Sequence, residues 1–455
     1  MLENFFKLKK NGTSVRTELV AGLTTFMTMV YILALNPTIL SASGMDKGSI
    51  LTATAVASAI ACFAMALLSN KPFALSAGLG LNAYFAYTVC GQMGFSWQVA
   101  LTAVLVEGLI FIVLSVTNVR EAIFNAIPAS LKTAVGVGIG FFITFIGLQN
   151  AGIIVDSPTL VGLFNLKAAL ASGTIHTQGV AVMLALFGTL MIAYMFIKGI
   201  KGYMLWGILI TWGLGMVLQL IGFYVPNPKA GFYSVIPSAV FSMPSSMAST
   251  MFQFDFNFMV SHIGDFIVIL FAFLFVDIFD TIGTVIGCAE KSGMLDEHGK
   301  LPEIKGILLA DAVGTTIGAC LGTSTITTFV ESSSGISEGG RTGLTAVTTG
   351  VLFLLALFFS PLFLTIPSFA TAPALMFVGF LMMQQVTNIN WQDLTKAIPA
   401  FVTITMMGFA YSISDGIAFG FITYTILHLC TGKKNELSPL MYVLSVVFIL
   451  KYFLV

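Results

Sequence analysis

FAFLFVDIFDTIGTVIGCA (271–289) and LGTSTITTFVESSSGI (321–336) each set carboxylates into sequence otherwise suited to lipid. Asp277 and Asp280 lie in the first stretch and Glu331 in the second. An ionisable group at membrane depth costs roughly 3 kcal/mol even on the lenient insertion scale, so it faces a partner, a cavity or a bound solute. The surrounding chain is of the same apolar kind. Of 455 residues, 57% are hydrophobic and 9% charged, and mean hydropathy is +0.97. Soluble domains carry about 25% charged residues, so the chain reads as an all-α polytopic membrane protein. Its 44 glycines and 22 methionines suit close helix packing and adaptable interiors. Net charge is zero, which offers no footprint for nucleic acid.

The N-terminal stretch MLENFFKLKKNGTSVRTELVAG (1–22) lacks a small-residue cleavage site after a short apolar core. It reads as a cytosolic leader into the first span, with no signal peptide. Cys62, Cys90, Cys288, Cys320 and Cys430 sit in or at the ends of apolar segments at no metal-ligand spacing, as small buried side chains do.

A helix needs about 20 apolar residues to cross the hydrocarbon. Apolar runs give spans at 18–37, 49–69, 73–90, 97–118, 130–150, 178–197 and 204–223, then a polar, Pro-rich stretch at 224–260. The second set is 262–288, 304–321, 322–340, 342–365, 370–388, 397–413 and 415–431. A last run, 437–454, reads as a non-crossing or loosely packed helix. With the N-terminus inside, sixteen Lys and Arg residues fall in cytoplasmic segments, against Lys47, Lys167 and Lys229 outside. That bias follows the positive-inside rule.

The halves echo one another. IPASLKTAVGVGIGFFITFIGLQN (127–150) has a counterpart in IPSFATAPALMFVGFLMMQQVTN (366–388), and GYMLWGILITW (202–212) a fainter one in DGIAFGFITYT (415–425). Seven is an odd number of crossings, so the second half enters from the opposite side. The sequence therefore predicts 14 transmembrane segments in a 7+7 inverted repeat, an architecture common among secondary transporters. The third span, FALSAGLGLNAYFAYTV (73–89), and the tenth, around Glu331, occupy matching places in the two halves. Both are rich in Gly, Ser and Thr, which have poor helix propensity. Irregular backbone at membrane depth survives only when buried in protein or lining a cavity. Each is predicted to be a short broken span, an extended stretch followed by a half-helix whose N–H groups point at a midplane site.

GLTTFMTMVYILALNP (22–37), SAGLGLNAYFAY (76–87), FVDIFDTIGT (275–284) and TSTITTFVESSSGI (323–336) together resemble the motifs of the AzgA-like hypoxanthine/guanine/adenine permeases of the nucleobase–ascorbate transporter group. The resemblance runs from about residue 3 to about residue 431. It implies a core domain built from 1–118 (spans 1–4) and 262–365 (spans 8–11). It implies a gate domain built from 130–223 (spans 5–7) and 370–431 (spans 12–14), with 432–455 as an apolar tail. It also implies import of a purine nucleobase across the cell membrane by proton symport, alternating access of core against gate, and a homodimer through the gate domains. By the same resemblance, Asp280 corresponds to the substrate-binding acid of the eighth span, Glu331 to the acid of the tenth and Asn82 to the polar residue of the third. The chain departs from the uracil and xanthine branches. Its eighth-span acid is Asp, Thr284 stands where the uracil branch has His, and the first span lacks a Gln-His pair. These departures favour the hypoxanthine, guanine and adenine set over uracil or xanthine.

The residue types suit such a solute. Nucleobase edges are rich in N–H donors, and a carboxylate accepts two parallel N–H bonds in a strong, charge-assisted pair. Glu331 is expected to read a donor edge. Asp280 is expected to bond a ring N–H or a water and to take the coupling proton, and Asn82, both donor and acceptor, to meet a ring nitrogen or carbonyl. Backbone N–H groups of the tenth segment are expected to meet a purine carbonyl. A carboxyl withdrawn from water beside a second acid keeps its proton to higher pH, so either Asp277 or Asp280 can load and release one. Thr281, Thr284 and Thr328 are the expected supporting hydroxyls. Glu107 and Asp311 read as helix-holding groups, His428 as a snorkelling residue at a helix end, and Phe26, Tyr31, Tyr84 and Phe329 as aromatics able to stack on a base. An anion exchanger of this fold would want basic or neutral groups where these acids stand. No HExxH motif, nucleophile–base pair or phosphate-binding Gly-rich loop is present, so neither an enzyme nor a cofactor is implied.

Overall fold

Residues 2–117, 126–157, 160–291, 294, 301 and 303–454 are described here, from a computed structural model of the chain. Arg120 and Lys300, two of the sixteen basic residues expected in cytoplasmic segments, lie outside the described residues. Eleven helices among the described residues are long and apolar enough to cross a membrane, the first Val15–Ser43 and the last Ile413–Cys430.

The first of these is broken at Val30–Tyr31 into α1 (Val15–Met29) and α2 (Ile32–Leu40). α1 starts where Ser14 Oγ accepts the Thr17 N–H, and α3 (Lys47–Leu68) where Asp46 accepts that of Ser49. Such caps satisfy N–H groups that a helix start leaves orphaned. The third expected span forms no continuous α-helix. It runs as β1 (Leu75–Ala77), α4 (Leu79–Ala83) and a π-helix, Tyr84–Gln92. α5 (Trp97–Val116), α6 (Ala129–Asn150), a hairpin of β2 (Ile154–Ser157) and β3 (Leu160–Leu163), α7 (Gln178–Ile197) and α8 (Tyr203–Leu220) complete the first half. The second half holds α9 (Ile263–Lys291), α10 (Ile304–Leu321), β4 (Ile326–Thr328), α11 (Ser332–Ser337), α12 (Gly343–Ala356), α13 (Ser368–Met383), α14 (Leu394–Phe409) and α15 (Ile413–Cys430). The tenth expected span is thus also an extended stretch followed by a short helix.

The long helices sort into two packed groups, each drawing on both halves of the chain. α10 packs on α3 and α5, and α12 on α1 and α3. In the other group α6 packs on α13 and α14, α14 on α15, and α7 on α8 and α13. Close approach within the first group needs small residues. A Cβ on Gly22 would lie 2.7 Å from the Thr345 carbonyl oxygen, so α1 and α12 meet backbone to backbone there.

β1 and β4 explain how the two broken spans persist. They pair antiparallel, Leu75 opposite Thr328 and Ala77 opposite Ile326, and all six residues are buried. The Gly78 N–H to Thr325 O and Phe329 N–H to Ala74 O bonds, both 3.0 Å, extend the ladder. Backbone that leaves the helix at depth has no water to satisfy it. Here each stretch satisfies the other.

The tail forms a further helix, shorter than the candidate spans and set beside the last of them. α16 (Pro439–Leu454) runs antiparallel beside α15. Ser445 Oγ lies 2.7 Å from Thr425 Oγ1 near one end, and Tyr452 Oη donates to Asp415 Oδ1 at 2.8 Å near the other. Met441, Leu444 and Phe448 are buried. The serine gives the tail a polar register point that apolar content alone did not reveal. His428 departs from the snorkelling assignment. It is buried, stacked on Tyr424 at 3.9 Å, and its Nδ1 lies 2.9 Å from the Tyr424 carbonyl oxygen. An aromatic platform and a carbonyl one turn back hold the ring in place, and its Nε2 lies 3.7 Å from Glu436 Oε2.

Asp393 caps α14 and pairs with both Lys396 and Lys433 at 3.2 Å. The Thr395 hydroxyl, then Lys396, hold its carboxyl below the usual carboxylate range. A carboxyl held low in the fold lends stability above its unfolded pKa, about 3.9, and that stability is lost as pH falls towards the folded value. Acidification from about pH 5 to about pH 3 should therefore lower the melting temperature of the wild type more than that of Asp393→Asn. Parallel slopes for the two proteins would refute this contribution.

Candidate functional site

The candidate residues come from α9, the β1–β4 pair and the short helices that follow it. Glu331 is half-buried at the N-terminal boundary of α11, directly after β4. The Tyr31 hydroxyl, at the break between α1 and α2, donates to Glu331 Oε1 at 2.6 Å. Asp280 on α9 is half-buried, with the Thr327 hydroxyl of β4 beside it and Asp311 and Glu331 within electrostatic range. Thr284, also half-buried, lies one helical turn further along α9.

Asp277 sits apart from this pair in its bonding. It is fully buried, and the Thr281 oxygen lies 2.8 Å from Asp277 Oδ1 and 2.9 Å from Asp311 Oδ1. A hydroxyl has one hydrogen to donate. The bridge closes on both sides when one of the two carboxyls carries a proton. Asp277, Thr281 and Asp311 thus form one unit joining α9 to α10. Glu107 on α5 similarly accepts from Thr325 Oγ1 at 2.8 Å, fixing the approach to β4.

Asn82 on α4 is fully buried, and its Oδ1 accepts from Ser324 Oγ. Among the described residues its Nδ2 has no hydrogen-bond partner, and neither has Thr328 Oγ1 on β4. A buried amide N–H without an acceptor is costly, so Asn82 keeps a donor that a solute could use. The short α11 supplies less than the sequence suggested. The Ser332 N–H bonds Phe329 O at 3.1 Å and the Ser333 N–H bonds Val330 O at 3.0 Å. A tight turn at the helix start consumes these donors, so they are not free to meet a carbonyl.

The structure brings Glu331, Asp280 and the β4 threonines together and joins Asn82 to the same strand through Ser324. It separates Asp277 into the Thr281–Asp311 bridge. Of the aromatics, Tyr31 acts through its hydroxyl, Tyr84 packs edge-on against Phe273 at 4.9 Å and Phe26 edge-on against Phe353 at 5.4 Å. Tyr203, from the start of α8 in the other helix group, lies within electrostatic range of Tyr31 and Glu331. Glu18 escaped notice in the sequence. It is fully buried on α1 and accepts N–H groups of Arg341, Thr342 and Thr345 at 2.8, 3.3 and 3.2 Å, and the Thr345 hydroxyl at 2.6 Å. It thereby fixes the start of α12, which follows the Glu331 helix.

Comparison with known proteins gives likenesses in family, in sequence and in fold. Residues 16–419 match the Permease family. The chain is 43% identical to the guanine/hypoxanthine permease PbuG of Bacillus subtilis, covering 99% of each protein. It is 40% identical to the adenine permease AdeP of Escherichia coli, covering 99% of this chain and 96% of that one. Among solved structures, the transmembrane domain of the cyanobacterial bicarbonate transporter BicA superposes with a TM-score of 0.61 at 16% identity, covering 89% of this chain and 96% of that one. The last likeness speaks for the fold alone.

Proposed function

Given that the chain belongs to the Permease family, a family of membrane transporters and not of enzymes, we propose that it imports purine nucleobases by proton symport. Hypoxanthine and guanine are the leading substrates, with adenine within the same set. Support comes from full-length similarity to purine permeases and from one local observation that carries the reading. Two half-buried carboxylates, Glu331 and Asp280, flank a strand pair that interrupts the helical packing. A flat base with an N–H-rich edge matches acceptors of that kind.

In this reading Glu331 binds the donor edge, Asp280 binds a second N–H or a water and carries the coupling proton, and Asn82 offers its free amide N–H. Asp277 and Thr281 support the coupling through the Asp311 bridge, while Thr284 and Thr328 line the same region. The group holding α1, α3, α5, α10 and α12 is the core domain, and that holding α6–α8 and α13–α15 is the gate domain. The two halves of the chain, each contributing to both domains, are related as a 7+7 inverted repeat of fourteen spans, with the N-terminus cytoplasmic and the protein in the cell membrane as a homodimer through its gates. Movement of core against gate exposes the site alternately to the two sides. At 100 mV the membrane potential supplies about 2.3 kcal/mol per charge, roughly 50-fold accumulation.

The test is uptake of labelled hypoxanthine in cells lacking other purine carriers. Guanine should compete strongly and uracil and xanthine weakly, and a protonophore should abolish accumulation. Accumulation that persists with the proton gradient collapsed rejects the coupling. Absence of any purine uptake rejects the reading as a whole.

A further inference from the structure

We propose that Tyr31 sets which purine edge Glu331 can read, by holding one of its two carboxylate oxygens. The inference rests on the reading that Glu331 binds the base. Tyr31 is 2% exposed, at the turn where α1 gives way to α2. Its hydroxyl donates to Glu331 Oε1 at 2.6 Å. A ring buried to this degree cannot move its hydroxyl into water without repacking its surroundings. Tyr31 is therefore a fixed donor that a solute must share or displace.

The consequence follows from counting acceptors. A carboxylate meets a two-donor edge best with both oxygens, one for each parallel N–H. With Oε1 engaged by Tyr31, Oε2 remains the oxygen open to a base. Hypoxanthine places one N–H, at N1, beside its carbonyl, and one oxygen suffices for it. Guanine adds a 2-amino group beside the same N1–H. Its second donor must share Oε1 with the Tyr31 hydroxyl, push that hydroxyl aside, or enter the protein without a full partner, which is unfavourable for a buried polar group. The two bases differ by that amino group, so they report directly on Oε1. Tyr203 is the titratable group facing the pair from the other helix group. Being neutral at physiological pH, it places no compensating charge beside Oε1.

The experiment compares purified wild type and Tyr31→Phe for binding of hypoxanthine and guanine, read by competition and by protection against thermal unfolding. Removing the hydroxyl should raise the affinity for guanine relative to hypoxanthine by about tenfold, the size of one hydrogen bond to a charged group. An unchanged ratio overturns the proposal, and so does selective loss of guanine. If Tyr31→Phe binds neither base while the wild type binds both, the hydroxyl serves all bases alike and the assignment of specificity fails. A wild type that binds neither base instead overturns the proposed function beneath it, an outcome distinguishable from the others.

Discussion

Glu331→Ala should lower the initial rate of hypoxanthine uptake about 100-fold. Truncating one partner of a buried, hydrogen-bonded charged contact costs about 2–5 kcal/mol, and 2.7 kcal/mol is roughly 100-fold. The change also deprives the Tyr31 hydroxyl of its acceptor. Glu331→Gln separates the two consequences. It keeps an oxygen for Tyr31, so the fold should hold, while one acceptor becomes a donor facing the donor edge of the base. Glu331→Gln should reach the membrane at wild-type abundance, measured by immunoblot, and both variants should fail in uptake. Wild-type uptake by either one rejects Glu331 as the binding acid.

Glu18→Ala should be the most damaging single substitution for stability. The carboxylate accepts three backbone N–H groups and one hydroxyl, all from the segment 341–345. Its removal leaves these donors buried between α1 and α12. Leaving a buried donor unsatisfied costs about 1–3 kcal/mol, so losing several at once is worth about 3–5 kcal/mol. The purified protein should melt about 3–5 °C lower, read by fluorescence-detected size exclusion after heating. Because the same segment follows α11, transport by the folded fraction should also fall. A melting temperature within about 2 °C of the wild type would show that water or backbone adjustment replaces the carboxylate.

How far the sequence revealed this arrangement depended on what each residue's neighbours were in the chain. The broken third and tenth spans were legible because Gly, Ser and Thr accumulate within apolar runs at matching positions, and a buried backbone there needs an unusual solution. That the solution is a strand pair between the halves was not legible, since pairing partners so distant in the chain leave no local mark. Glu331 and Asp280 stood out by charge. Tyr31 was noted as a ring, but its hydroxyl was overlooked inside GLTTFMTMVYILALNP, where an aromatic reads as apolar filling. A buried phenol needs a partner, and that rule, applied to Tyr31, would have pointed to an acid. Glu18 lies at the head of its span, where a carboxylate normally reaches water. Only the fold shows that the Arg341–Thr345 segment covers it. Asp311 was read as a helix-holding residue, and its bond to Thr281 fits that description.

The β1–β4 pair also bears on how the protein is made. Ala77 and its partner Ile326 are separated by about 250 residues of chain. At about 5–20 residues per second, the first strand leaves the ribosome roughly 12–50 s before the second exists. Until then the buried backbone of 74–78 lacks its native acceptors and donors. The insertion machinery must therefore shelter the third segment, or leave it near the aqueous interface, while the chain between the two strands is still being made. Only on arrival of residues 325–329 can the third segment settle at depth, so the candidate site cannot form before most of the chain has been made.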